Sequence, residues 1–135
     1  MTVTVLDTSA CAAVMRRDPA MEAFLHEHNP GDLALVPPVV AEIEYGIRRL
    51  PAETRKRTLL EQERDRLLEL LRILEWTPEA SRTFGTVKAQ LESAGTPIDD
   101  MDVAIAAVAM SHGASLVTAN LVHFSRITGL EVRHW

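Results

Sequence analysis

The segment Val3-Thr4-Val5-Leu6-Asp7-Thr8-Ser9-Ala10 changes character half-way along. Its first four residues form a short, apolar, β-branched run that reads as a strand. Asp7-Thr8-Ser9 then gives way to the alanine-rich stretch 10–15, which suits a helix. Leu33-Ala34-Leu35-Val36 repeats the pattern and is stopped by Pro37-Pro38. Pro38 can serve in the first turn of a helix over 39–50, where proline's missing N–H costs nothing. Ser115-Leu116-Val117-Thr118 is a third such run, preceded by a very apolar helix over 103–112 and a glycine stop at Gly113. Strands without a polar face, alternating with helices, call for a parallel sheet covered on both sides and joined by right-handed crossovers. The expected fold is therefore α/β in three layers, with a central, mostly parallel sheet of four or five strands and helices on both faces.

The intervening segments fill in this outline. Residues 21–28 suit a further helix. From Pro51 a long polar helix is expected to run to about Leu74, with Leu60, Leu67, Leu70, Leu71 and Leu74 recurring every three to four residues as its core face. Its end is expected to turn into a strand around 73–76. Thr77-Pro78-Glu79 starts a helix that reaches Gly95, and 130–133 adds a last strand at a sheet edge.

With 135 residues and 47% hydrophobic residues, the chain has the size of one domain and needs no disulfide or structural metal to bury a core. Cys11 is the single cysteine, there is no basic leader, and no apolar run approaches the roughly 18 residues of a membrane span. A soluble, cytoplasmic protein with no membrane partner is expected. The net charge of −5 excludes coating of nucleic acid by bulk charge, but not a local basic face. Positions 48–72 carry eight of the 14 basic residues against five acids. This excess reads either as a solvated helix face laced with intrahelical ion pairs or as a rim facing phosphates. Arg16, Arg17, Arg48, Arg49, Arg55, Lys56 and Arg57 are the candidates for contacts with an RNA backbone.

In open α/β sheets ligands bind beyond the carboxyl ends of the strands, where the strand order reverses. Asp7 directly follows the first strand and Asn120 follows Thr118, so both belong to that edge. Helices that run back from it start there too. Glu42 lies in the early turns of one, and Asp99, Asp100 and Asp102 in the first turn of another. Like charges brought together need a cation, and carboxylate and amide oxygens without cysteine or a spaced histidine pair favour Mg²⁺ or Mn²⁺. Such a site can activate water and neutralise a phosphodiester. Plainer roles compete: Asp99 as a helix cap, Asp102 as part of a capping box, Asp7 in a turn, Glu42 and Glu44 in solvent. Cys11 reads as a small buried residue, and His112 and His123, which could also ligate a metal, read as helix-end and loop residues.

Leu6-Asp7-Thr8-Ser9, Ala41-Glu42-Ile43-Glu44-Tyr45-Gly46, Asp102-Val103-Ala104-Ile105-Ala106-Ala107, and Leu116-Val117-Thr118-Ala119-Asn120 with Phe124 resemble, in order, the motifs of the PIN domain, and among PIN domains the VapC toxins. The resemblance extends to the closing Gly129-Leu130 and to Trp135, so residues 1–135 are read as a single PIN domain. It implies an Mg²⁺- or Mn²⁺-dependent endoribonuclease that cuts structured RNA such as transfer or ribosomal RNA. It also implies a homodimer held inactive by a cognate VapB-like antitoxin lying in a groove beside the acids. Residue by residue, it implies Asp7, Glu42, Asp102 and Asn120 as the catalytic set and Asp7, Asp102 and Glu42 as metal ligands. Thr8 and Thr118 would orient the site. Many relatives carry aspartate where this chain has Asn120, although asparagine also occurs, and Asp99, Asp100 or water would then take the place of the missing ligand.

Other readings fare worse. A haloacid-dehalogenase-type phosphotransferase needs a second aspartate where Ser9 stands, and a receiver domain needs a lysine after its last strand, whereas the lysines are Lys56 and Lys88. Neither G-x-G-x-x-G nor G-K-[ST] occurs. The alternative from another class is a catalytically silent PIN-like module that acts through RNA or protein contacts.

Overall fold

The computed structural model describes residues 2–135. Five strands, β1 (Thr4–Leu6), β2 (Leu33–Leu35), β3 (Arg72–Ile73), β4 (Ser115–Val117) and β5 (Val132–Arg133), form one sheet in the order β3-β2-β1-β4-β5. Every adjacent pair is parallel, with Thr4 beside Leu33 on one flank and Ser115 on the other. The α/β expectation and the parallel sheet are met. The three inner strands are buried throughout, which explains their lack of a polar face, whereas β3 at one edge is exposed.

Five of the helices start where a side chain satisfies a free N–H group of the first turn. Asp7 caps α1 (Thr8–Met15), Asp18 caps α2 (Pro19–His26), Thr54 caps α4 (Arg55–Leu70), Thr77 caps α5 (Pro78–Ser93) and Asp99 caps α6 (Asp100–Ser111). α3 (Pro37–Arg48) opens on its two prolines without a side-chain cap. Gly113 follows α6 at φ +66°, and the Ala114 N–H then bonds back to the Ala109 carbonyl at 2.9 Å. Such a left-handed turn suits glycine and stops the helix.

The chain steps from β1 to β3 in one direction and returns past β1 to β4, so right-handed crossovers put α1 to α4 on one face and α5 and α6 on the other. Val103 to Ala109 of α6 are all buried, which accounts for a helix apolar on every side.

Three expectations need correction. The helix foreseen from Pro51 to Leu74 is shorter: Thr54 caps it at Arg55, its hydroxyl also donating to the Pro51 carbonyl at 2.9 Å, and Leu71 is already extended. Leu67, Leu71 and Leu74 are buried, but Leu70, the last residue of the helix, is 37% exposed, because the chain turns extended at Leu71 and breaks the helical spacing. The strand placed around 73–76 forms at Arg72–Ile73, and a short helix α7 (Leu121–Phe124) went unforeseen.

Candidate active site

Asp7 leaves β1 at the point where strand order reverses between β1 and β4. One carboxylate oxygen, Oδ1, accepts from the Ala10 N–H at 2.9 Å and the Ser9 hydroxyl at 2.6 Å. The other, Oδ2, accepts from the Thr118 hydroxyl at 2.5 Å. Asp7 is 4% exposed and Thr118 is fully buried, and a buried carboxylate is tolerated only when both oxygens are bonded in this way. Thr118 Oγ1 accepts from the Asn120 N–H at 2.8 Å, and Ser9 Oγ from the Ala119 N–H at 2.9 Å. Side chains from β1 and α1 thus hold the loop that follows β4.

Glu42 stands in the second turn of α3, and its Oε1 accepts from the Thr8 hydroxyl at 2.5 Å. Asp102, third residue of α6, is half-buried. Burial first, then the carboxylates of Asp99, Glu42 and Asp7, push its pKa up from 3.8 to about 6, with His123 opposing them. Acids from β1, α3 and α6 therefore share one electrostatic environment, as the topology requires of residues at one sheet edge. A lone acid in a helix's first turn would be favoured as the charged form; Asp102 departs from that because it is half-buried and its neighbours are carboxylates.

Asp99 faces this cluster while its Oδ1 caps Met101 N at 2.8 Å. Asp100 turns away to Lys88, at 3.0 Å, and does not supply the extra charge. Asn120 directs its amide to His123, Nδ2 to Nδ1 at 2.8 Å. Ser9 joins the site without being expected there, and His123 reaches it from α7 through Asn120 rather than from a loop. Their signals were the hydroxyl two residues past a strand-end aspartate and a histidine three residues past Asn120.

Glu44 does not simply face solvent but pairs with Arg64 at 2.7 Å. Cys11 is buried, with its thiol pushed far up by burial and by Asp7. His112 caps the end of α6 and meets the Glu75 carbonyl at 2.9 Å. Among the basic residues, Arg17 is held by Glu63 at 3.0 Å and Arg57 by Glu61 at 3.6 Å. Arg16, Arg48, Arg49, Arg55 and Lys56 make no ion pair among the described residues, and all five are exposed.

No three His, Cys, Asp or Glu side chains among the described residues stand ready as a complete ligand set. The donors at the sheet edge are hard carboxylate oxygens, and magnesium keeps several waters while binding through one or two carboxylates and substrate phosphates, so an incomplete protein cage fits it. Sulfur is excluded from the set, since Cys11 is buried and bonds the Leu6 carbonyl.

A family model of the PIN domain matches residues 4–130. Ribonuclease VapC2 of Haemophilus influenzae is 32% identical over 131 residues, which is 97% of this chain and 96% of that protein. The chain belongs to the PIN domain family, among the VapC ribonucleases. The tRNA(fMet)-specific endonuclease VapC of Salmonella typhimurium is 28% identical over 131 residues, again 97% of this PIN domain and 96% of the relative. The crystal structure of VapBC2 from Rickettsia felis bound to a DNA fragment from their promoter contains a chain matching this PIN domain with a TM-score of 0.87 at 25% identity, covering 99% of both. No helix among the described residues is long and apolar enough to cross a membrane.

Proposed function

We propose that this chain, as a single PIN domain over 1–135, is a divalent-metal-dependent endoribonuclease and the toxin of a toxin-antitoxin pair, acting on structured RNA. The observation that carries this reading is the convergence of Asp7, Glu42 and Asp102 from β1, α3 and α6 at the carboxyl edge of the sheet. A structural role does not call for such a cluster, because like charges cost stability when nothing offsets them.

Asp7 and Asp102 would hold Mg²⁺ or Mn²⁺, and Glu42 would join them or orient water. When bound, the cation supplies Lewis acidity, activating water for in-line attack and offsetting charge on the phosphodiester. Thr118 and Ser9 lock the Asp7 carboxylate in one orientation, and Thr8 does the same for Glu42. A ligand held by such partners loses little entropy on engaging its target. Asn120 is neutral and bonds His123, so it positions rather than neutralises. The free cations Arg16, Arg48, Arg49, Arg55 and Lys56 suit RNA phosphates.

Transfer RNA is supported as the substrate class by the Salmonella relative's name, and an antitoxin of the VapB kind by the Rickettsia complex. A homodimer is part of the same proposal. The test is cleavage of purified transfer and ribosomal RNA in Mg²⁺, in Mn²⁺ and in chelator, with Asp7→Asn and Asp102→Asn alongside. Metal-dependent cuts that both variants abolish are expected. Equal activity in chelator removes the mechanism, and no cleavage of any RNA leaves the silent binding module.

A further inference from the structure

The strand β5 is two residues long and lies at an edge of the sheet, so it has few ladder bonds of its own and opens at low free energy unless something else holds it. One of its bonds matters to the site. The Thr118 N–H donates to the Arg133 carbonyl at 3.0 Å, and Thr118 is the buried residue whose hydroxyl holds Oδ2 of Asp7. Fraying of β5 would leave that N–H unpaired beside the acid.

Arg133 is exposed, yet its guanidinium is engaged. Nη2 donates to Nε2 of His28 at 3.0 Å, and the group lies over the Phe24 ring, 5.4 Å from its centroid. Phe24 belongs to α2, and His28, just beyond that helix, stacks on it with 4.1 Å between ring centroids. Hydrogen bonding sets the histidine's tautomer. Its Nδ1 is 2.7 Å from the Phe24 carbonyl, which can only accept, so the proton sits on Nδ1 and a lone pair on Nε2 is left for Arg133. No carboxylate among the described residues pairs with Arg133, so the imidazole and the phenyl ring are what grip it. Nearby, the Trp135 indole N–H donates to Oδ2 of Asp18, the cap of α2, at 3.4 Å.

We propose that Arg133 is a positioning residue for the candidate active site. Gripped by His28 and Phe24, its side chain keeps β5 against β4. Its carbonyl then fixes Thr118 and, through the Thr118 hydroxyl, the Asp7 carboxylate. Arg133 acts through Thr118 rather than on the reacting atoms, as outer partners of a metal ligand do. The inference rests on the nuclease reading above. A phosphate contact is the competing role for an exposed arginine, and it predicts a different loss, in binding rather than in turnover.

The test combines hydrogen exchange of the Thr118 amide in EDTA, anisotropy of a labelled oligoribonucleotide in EDTA, and kcat and KM for its cleavage in Mg²⁺. Arg133→Met keeps a stem over Phe24 and loses the donor. It should speed Thr118 exchange and lower kcat, each about tenfold, and leave KM and RNA affinity unchanged. His28→Leu cannot accept and should do the same, whereas His28→Gln carries an acceptor and should recover most of the loss. This pair decides the matter even if Arg133→Met fails to fold. Val87→Ala, buried on α5 across the sheet, controls for lost stability and should leave kcat unchanged. Wild-type exchange and kcat in Arg133→Met and His28→Leu overturn the positioning role while the nuclease reading stands. Weaker RNA binding at normal kcat makes Arg133 a phosphate contact, and an equal fall of kcat in Val87→Ala reduces the effect to global stability; either result overturns the role. Faster Thr118 exchange in the variants when wild type cleaves no RNA supports the grip on Thr118 and removes the nuclease reading.

Discussion

Thr118 and Asp7 are 111 residues apart in the chain, yet the threonine hydroxyl donates to the aspartate's Oδ2 at 2.5 Å. The same oxygen of Thr118 accepts from the Asn120 N–H, so one buried hydroxyl serves both the acid and the loop after β4. Thr118→Val keeps the shape and removes both bonds. It should cost about 1–3 kcal/mol, the penalty of leaving buried polar groups unpaired. Thr118→Ser should recover most of the stability and of the cleavage rate. Chemical denaturation of the two variants checks this, and a valine variant as stable as wild type would refute it.

Asp102 makes the metal-free protein sensitive to mild acid. Its folded pKa, about 6, lies above the 3.8 of an unperturbed carboxyl, so the folded state keeps a proton that the unfolded chain has lost. Its contribution is fully present below pH 3.8 and is lost as pH rises towards 6. At neutral pH in chelator, Asp102→Asn should therefore be more stable than wild type and should lack this part of the pH slope. Adding Mg²⁺ should raise the wild-type melting temperature and leave the variant's unchanged. Thermal melts across pH, with and without metal, read both effects.

Glu63 behaves in the opposite sense. Burial works against its ionisation, but hydrogen bonds from Arg66 and Arg17 outweigh it and hold the pKa below 4.5. The stability it contributes is present above pH 4.5 and is lost as pH falls through the depressed value. Arg17 follows α1 at φ +57°, a left-handed conformation that a non-glycine residue adopts at a cost, and the Glu63 pair helps to hold it there. Glu63→Gln should lower stability at pH 7 by up to about 1 kcal/mol, as expected for a largely accessible pair. The difference from wild type should shrink in acid, which denaturation at pH 7 and pH 3 would show.

Cys11 should be inert in the native state. Burial and the Asp7 carboxylate raise its thiol pKa, so little of the reactive thiolate exists near neutrality. Alkylation should be undetectable until the protein unfolds, with a rate that tracks global opening. Rapid labelling of folded protein would contradict the packing of α1 against β1.

Much of this was legible in the residues themselves. The apolar runs before Asp7 and Thr118 announced buried parallel strands, because a strand covered on both faces cannot alternate polar and apolar side chains. The sheet-edge rule then assigns Asp7, Glu42, Asp102 and Asn120 to one edge from the order of strands and helices alone. Less legible were the ends of α4. The leucine spacing continued past Leu70, but the Thr54 cap and the extended backbone at Leu71 set the limits.

Local pattern determined where strands and helices form and which acids reach the carboxyl edge, since periodicity and capping act over a few residues. Tertiary structure alone decided which of neighbouring charges serve the site. Asp99 faces Asp102 while Asp100 pairs with Lys88, and Arg17 is captured by Glu63 while Arg16 makes no ion pair among the described residues. These pairs differ by one position in sequence, which on a helix or at its end is a large rotation. What each side chain meets depends on elements packed from elsewhere in the chain.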